Sequence, residues 1–256
     1  MFNTIGAFTV QTFREAIRNK LLYGIGFFAV AILLFTLVLG ELSLYEQERV
    51  IRDVGLTFIT IMGVALAIFT GVSMIHKEID RRIIYTILSK PIRRSEVIFG
   101  RFSGIALTLL VELLSMFLVF LLILVIRGMS IDVLLWQSFL LVYVKSLVIA
   151  ASALMFATFS SAILSTLLSL ALFILGSLYD QFSFFADKSD TVANSAFLRA
   201  SQFILPNFSN TNISTQVSYK LDVAWSHVGL TSLSCLAYTI VLLVIASIIF
   251  ERRDFI

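Results

Sequence analysis

Long apolar runs alternate with short charged stretches along this 256-residue chain, and that alternation predicts its architecture. Six runs stand out, at about 21–43, 54–75, 102–126, 138–159, 162–178 and 228–250. A helix rises 1.5 Å per residue, so roughly 20 apolar residues cross the ~30 Å of hydrocarbon in a bilayer. The pattern predicts an all-α polytopic membrane protein with six transmembrane helices in one domain spanning residues 1–256. The third run ends at Arg127-Gly128, and only "TFSSAILST" separates the fourth from the fifth, which predicts a tight helical hairpin. Both prolines, Pro91 and Pro206, fall outside the runs.

Between the runs, shorter patterns predict further helices. Phe2, Ile5, Phe8 (or Thr9), Phe13 and Ile17 recur at helical spacing over residues 1–20, with Arg14, Arg18 and Lys20 between them. Such a helix lies in the membrane interface. In the stretch 76–101, Ile79, Ile83, Ile84, Ile87 and Leu88 share one helical face, with Asp80, Arg81 and Arg82 off it. Lys90-Pro91 stops that helix, because the residue before proline is pushed out of the α region. Ser95 is placed to cap the next one, which runs unbroken into the third span. The segment 179–227 carries "YDQFSFF" and "FLRASQFILPNF", aromatics too dense for a solvated linker. It predicts short helices that re-enter the membrane at a dimer centre or pack on an extracytoplasmic partner.

Composition narrows the class. At 59% hydrophobic and 14% charged, with a mean hydropathy of +0.99, the chain has too little polar surface to fold as a soluble domain. Twelve Lys and Arg fall on the side that holds the N-terminus and six on the other, outside the spans. The positive-inside rule therefore puts both termini in the cytoplasm. The start does not read as a secretory signal, since its charges come late and no small-residue cleavage site follows. A single cysteine, Cys235, permits no disulfide or CxxC site within one chain, and His76 and His227 fall on opposite faces of the membrane. No GxxxxGK[ST], HExxH or GxSxG occurs, so the chain has no phosphate cradle of its own and no hydrolase signature. Nothing points to nucleic acid. The mixed signs, stripe and proline stop of 76–101 favour docking into a groove of a soluble protein over lying on anionic lipid.

Glu112 and Lys145 fall inside spans three and four. Charge at that depth costs ~2.5–3.5 kcal/mol on insertion scales. Because adjacent antiparallel spans bring the two to similar depth, the sequence predicts a structural ion pair, with a proton relay or substrate contact as the alternative.

Glu78 followed by "TILSKPIRRSEVIFGRF" resembles the loop between spans two and three of type-two ABC transporter permeases, the membrane-spanning subunits of export type. There a Glu precedes Leu-Leu-x-x-Pro-x-x-Arg and then Gly-Lys/Arg-Phe, matched here by Glu78, Ile87, Leu88, Pro91, Arg94, Gly100, Arg101 and Phe102. "ILPNFSN" at 204–210 is similar to that family's "LPNF", and "FERRDFI" to its charged ending, so the resemblance covers the whole chain. It implies a non-enzymatic permease of the inner (cytoplasmic) membrane that dimerises, with a second copy of itself as the expected partner. A separate ATPase would bind ATP and Mg, with no cofactor in this chain. Glu78, Arg81, Arg82, Ile83, Ile87, Leu88, Lys90, Pro91 and Arg94 would form the docking and coupling surface. Phe203, Leu205, Pro206, Asn207 and Phe208 are the implied outer-gate positions. Two other functions stay open: an ion-coupled secondary transporter using Glu112, or a membrane anchor that transports nothing. Against the first stands the lack of an internal repeat or a pair of interrupted helices.

Overall fold

The computed structural model of the chain describes residues 2–18, parts of 26–38, residues 46–80, 94–187, 202 and 205–252. Among these residues every regular element is helical. They are α1 (Phe2–Ile17), α2 (Gln47–Asp80), α3 (Arg94–Ile126), α4 (Val133–Phe159), α5 (Ala162–Ser177), α6 (Tyr179–Asp187), a 3-10 turn (Ser209–Thr211), α7 (Ser214–Ser218) and α8 (Trp225–Arg252). Among the described residues four helices, α2, α3, α4 and α8, are long and apolar enough to cross a membrane, and α5 is a shorter apolar helix. The chain is a multi-pass, all-α membrane protein. The expected first span lies mostly outside the described residues. α2 and α3 exceed their apolar runs because each helix continues into flanking charged residues. Thus α3 begins at Arg94, which puts Ser95 inside its first turn instead of at the expected cap.

The hairpin between α4 and α5 forms as its sequence indicates. After Ser160, the Ser161 hydroxyl accepts the Leu164 N–H at 3.4 Å and caps α5. His76, near the end of α2, reaches the Ser160 carbonyl at 3.1 Å and ties a third helix to this turn. At the opposite end α3 stops where Gly128 takes φ +67, the left-handed conformation glycine adopts without penalty. The Met129 N–H then bonds the Leu124 carbonyl at 2.9 Å, and the chain turns into α4.

α4 is the centre of the bundle, packed against α2, α3, α5 and α8. Its residues from Val144 to Leu154 are all buried, as expected of a helix surrounded on every side. Its closest neighbour is α2, and small residues make that approach possible. A Cβ on Gly71 would sit 2.8 Å from Ala153 Cβ and 2.9 Å from the Ala150 carbonyl oxygen; one on Gly63 would meet Leu113 at 2.8 Å and Ser146 Oγ at 3.0 Å. Lipid tails are as apolar as leucine, so helices in a membrane associate through such close packing instead of hydrophobic exclusion.

The amphipathic N-terminal helix does more than lie at an interface. It docks on the start of α3: Thr9 donates to the Gly100 carbonyl at 3.3 Å, and Arg101 donates to Thr12 at 3.1 Å. Gly104 admits Thr12, whose atoms would stand 2.4 Å from an added Cβ. Of the described side chains, Phe8 and Thr12 are buried and Thr9 is half-buried in this contact, while the side chains of Phe2, Ile5 and Ile17 lie outside those described.

Replacing Gly71 with alanine should destabilise the protein by ~1–3 kcal/mol, because the obstructing atoms include α4 backbone that cannot swing aside. The control is Gly229→Ala on α8, where nothing lies within 4 Å of the added carbon. Thermal unfolding in detergent should lower the melting temperature of the first variant and leave the second at or above wild type.

Candidate functional site

The expected docking residues Arg81, Arg82, Ile83, Ile87, Leu88, Lys90 and Pro91 lie outside the described residues, as does Phe203. Glu78 falls in the last turn of α2 and Arg94 opens α3, with nothing described of their side chains. α3 thus begins at the end of the bundle where α1 docks.

The ion pair expected between Glu112 and Lys145 does not form. Among the described residues no ion pair involves either one, and Glu112 Oε2 is buried without a hydrogen-bond partner. The reason is rotational. Leu113 points into the core at Gly63, and one residue along a helix turns the side chain by ~100°. Glu112 is carried to the flank of α3, beside the exposed Val111 and Ser115. Similar depth along two helices did not imply a shared side.

Lys145 instead faces the segment that carries the residues expected at an outer gate. Its ammonium stands 5.9 Å from the centre of the Phe208 ring. Phe208 is fully buried, and its N–H bonds the Gly176 carbonyl at 3.0 Å. Gly176 is required there, since an added Cβ would lie 2.5 Å from the Phe208 ring and 2.8 Å from the Pro206 carbonyl. Pro206 is buried, Leu205 is half-buried, and Asn207 Oδ1 accepts the Asn210 N–H at 3.3 Å. Two candidate sets separate in sequence, the intramembrane lysine and the LPNF segment, therefore form one site. Between them lies a cavity of about 360 Å³, lined by Lys145 and Phe208 with Thr57, Thr60, Ser177 and Asn212.

An ionic clamp ties the start of α2 to the α3–α4 turn. Arg52 on α2 is fully buried at its guanidinium and donates to Asp132 at 2.8 Å and to the Ser130 carbonyl at 2.6 Å, both in the α3–α4 turn. It also pairs with Glu48 at 2.7 Å, and Glu48 with Lys220 at 2.9 Å. Lys220 takes φ +54 just after α7, a conformation that costs a non-glycine residue of order 1 kcal/mol and persists where surrounding contacts enforce it. Arg49 adds a stacking contact, 3.7 Å above the Tyr219 ring. Asp132 occupies the N-cap of α4 yet makes no side-chain cap, because its carboxylate is turned to Arg52. Partial burial opposes its ionisation, but the Arg52 hydrogen bond and charge outweigh that and hold its carboxyl below the usual aspartate range. In the sequence the signal for this clamp is the Glu48–Arg52 spacing of four, which places the two side chains on one helical face.

No group of three or more metal-binding side chains occurs among the described residues. A family model described as ABC-2 family transporter protein matches residues 11–255, nearly the whole chain. No curated protein matches.

Because Glu112 and Lys145 lie on different faces, the stability losses of Glu112→Gln and Lys145→Gln should add in the double variant to within ~0.5 kcal/mol; strong coupling would contradict this geometry. The clamp predicts a pH effect of fixed sign. A depressed carboxylate stabilises the fold above its unfolded value, and that contribution drains away as pH falls through the lowered folded value. Melting temperatures measured from about pH 6 to pH 3 should fall more steeply for wild type than for Asp132→Asn.

Proposed function

The chain belongs to the ABC-2 family of transporter proteins, and on that footing we propose that it dimerises and couples ATP hydrolysis to movement of a substrate out of the cytoplasm. It is a membrane permease subunit of an ABC transporter, whose ATPase is a separate chain. The coupling surface is the loop 76–101, with Arg82, Lys90, Pro91 and Arg94 acting in docking instead of folding. Both termini and this loop face the cytoplasm of the inner membrane, and a second copy of the chain completes the permease.

The observation that carries the reading is the family match over 11–255, joined by the course of the two flanking helices. α2 continues past its apolar stretch to Asp80 and α3 starts at Arg94, so only a short charged and striped segment joins the two helices. A groove in an ATPase suits a short amphipathic helix presented in that way. The absence of any phosphate-binding loop from the sequence fits an ATPase on another chain.

The test is co-purification from native membranes in mild detergent. Wild type should recover a soluble ATP-binding-cassette ATPase, and a Pro91→Ala, Arg94→Glu double variant should not, while both elute as the same folded species. Charge reversal at Arg82 should leave that species folded but lower substrate-linked ATP hydrolysis. Recovery of no ATPase by wild type would defeat the coupling reading and turn attention to Glu112 as an ion-coupling carboxylate.

A further inference from the structure

The cavity between Lys145 and Phe208 has a lining that selects for charge. Lys145 is 4% exposed and lies twelve residues into α4, ~18 Å along the helix axis. Among the described residues its ammonium has no carboxylate or hydrogen-bond partner. Its described electrostatic neighbours are the Phe208 ring at 5.9 Å, near the outer limit for a cation over an aromatic face, and the Cys235 thiol of α8. Cations buried in a membrane protein are costly and are ordinarily matched by an anion or by carbonyls. Among the described residues no carboxylate or carbonyl supplies that match.

The other polar groups around the cavity point the same way. Asn212 Oδ1 accepts both the Ser214 N–H at 3.4 Å and the Ser214 hydroxyl at 2.9 Å. A backbone N–H can only donate, so this contact fixes the amide's orientation and leaves its NH2 group to donate elsewhere. The Thr57 hydroxyl has no hydrogen-bond partner among the described residues. By contrast Thr60 and Ser177 spend their protons on the Leu56 and Phe173 carbonyls, at 2.9 and 2.8 Å. Among the described residues no acidic side chain lines the cavity. An ammonium, an amide and a hydroxyl are left as donors around about 360 Å³ of space, room for a headgroup and not for a whole lipid. At the opening the exposed lining residues are Thr57, Ser177 and Asn212 with one apolar side chain, Ile61, which is 47% exposed.

We propose that this cavity is an anion site that takes a phosphate-type group, with an attached acyl chain lying along the exposed Ile61 side of α2. Lys145 supplies the charge, Asn212 and Thr57 donate hydrogen bonds, and Phe208 closes the cavity from the segment above. The same chemistry serves a lipid headgroup or a free phosphate. The assignment goes beyond the transport reading, since a chain that moved no substrate would bind the same anion.

The test uses the full purified chain in a neutral detergent, with its melting temperature followed on addition of phosphatidylglycerol, phosphatidylcholine or inorganic phosphate. The anionic lipid should raise the melting temperature of wild type and the zwitterionic lipid should not. Lys145→Gln and Asn212→Asp should each need about tenfold more anionic lipid for the same shift, the size expected for one lost charge-assisted hydrogen bond. Asn212 is exposed, so its variant carries the test if Lys145→Gln does not fold. A shift with inorganic phosphate that both variants weaken would support the site with a free anion as its occupant. A shift with the lipid alone would support it with a headgroup. Wild type that responds to no anion, or variants that respond as wild type does, would overturn the proposal.

Discussion

The close approach of α2 to α4 at Gly63 and Gly71 is the constraint on which the remaining geometry rests. In lipid there is little to gain from burying leucine against leucine, so the helices that meet most intimately are those whose small residues let backbones touch. Gly71 reaches Ala150 and Ala153, and Gly63 reaches Ser146, each within the distance one methyl group would occupy. Once α2 is seated there, its outer turns bring Thr57 and Thr60 alongside Lys145, and its first turns bring Arg52 to the α3–α4 turn. A helix displaced by the width of a side chain would satisfy neither.

The polar groups of the bundle are handled differently according to depth. At the end of α2, Arg52 is fully buried but meets a carboxylate from each of two segments and a carbonyl, with Glu48 and Asp132 still partly solvated. That arrangement offsets much of the desolvation cost of a buried ion pair, because both carboxylates stay partly solvated, although Arg52 Nε is buried without a hydrogen-bond partner among the described residues. Arg101, near the other end, rests on Thr12 and lies over Phe8, so a helix from outside the spans supplies its surroundings. Lys145, deeper than either, faces a cavity instead of a carboxylate. The contrast between two well-surrounded arginines and this lysine sets Lys145 apart as a residue suited to a ligand.

Much of the bundle was legible because hydropathy reports directly on what a bilayer demands of each segment. The described helices α2, α3, α4, α5 and α8 fall on the apolar runs, and the hairpin at Ser160–Ser161 was readable from its small hydroxyl residues. What escaped was azimuth. Sequence spacing gave Glu112 and Lys145 similar depths, yet a one-residue step from Leu113 swings Glu112 off the α4 face. The clamp escaped for a related reason: Asp132 looks like an ordinary helix cap, and only the folded turn after Gly128 brings Arg52 to it. The meeting of Lys145 with the LPNF segment depends on Gly176 admitting Phe208, a contact between residues 32 apart in sequence that no local pattern encodes.

α2 is the one described helix that belongs to both ends of this arrangement. Its last turn leads into the charged loop, and Thr57, 23 residues earlier, forms part of the cavity wall, ~35 Å away along the axis. No proline or described break interrupts that length. A continuous helix seated on α4 through glycine contacts transmits displacement as a rod, since the tight approach permits sliding or tilting more readily than bending. On the proposed reading, an ATPase that moved the loop would therefore shift Thr57 against Lys145, which is fixed on the central helix. The clamp at Arg52 bounds that motion at its far end, because tilting α2 must strain or break its contacts to Asp132 and Ser130. Coupling and binding would then share a single moving part, and the strength of the clamp would set how far the cavity can open.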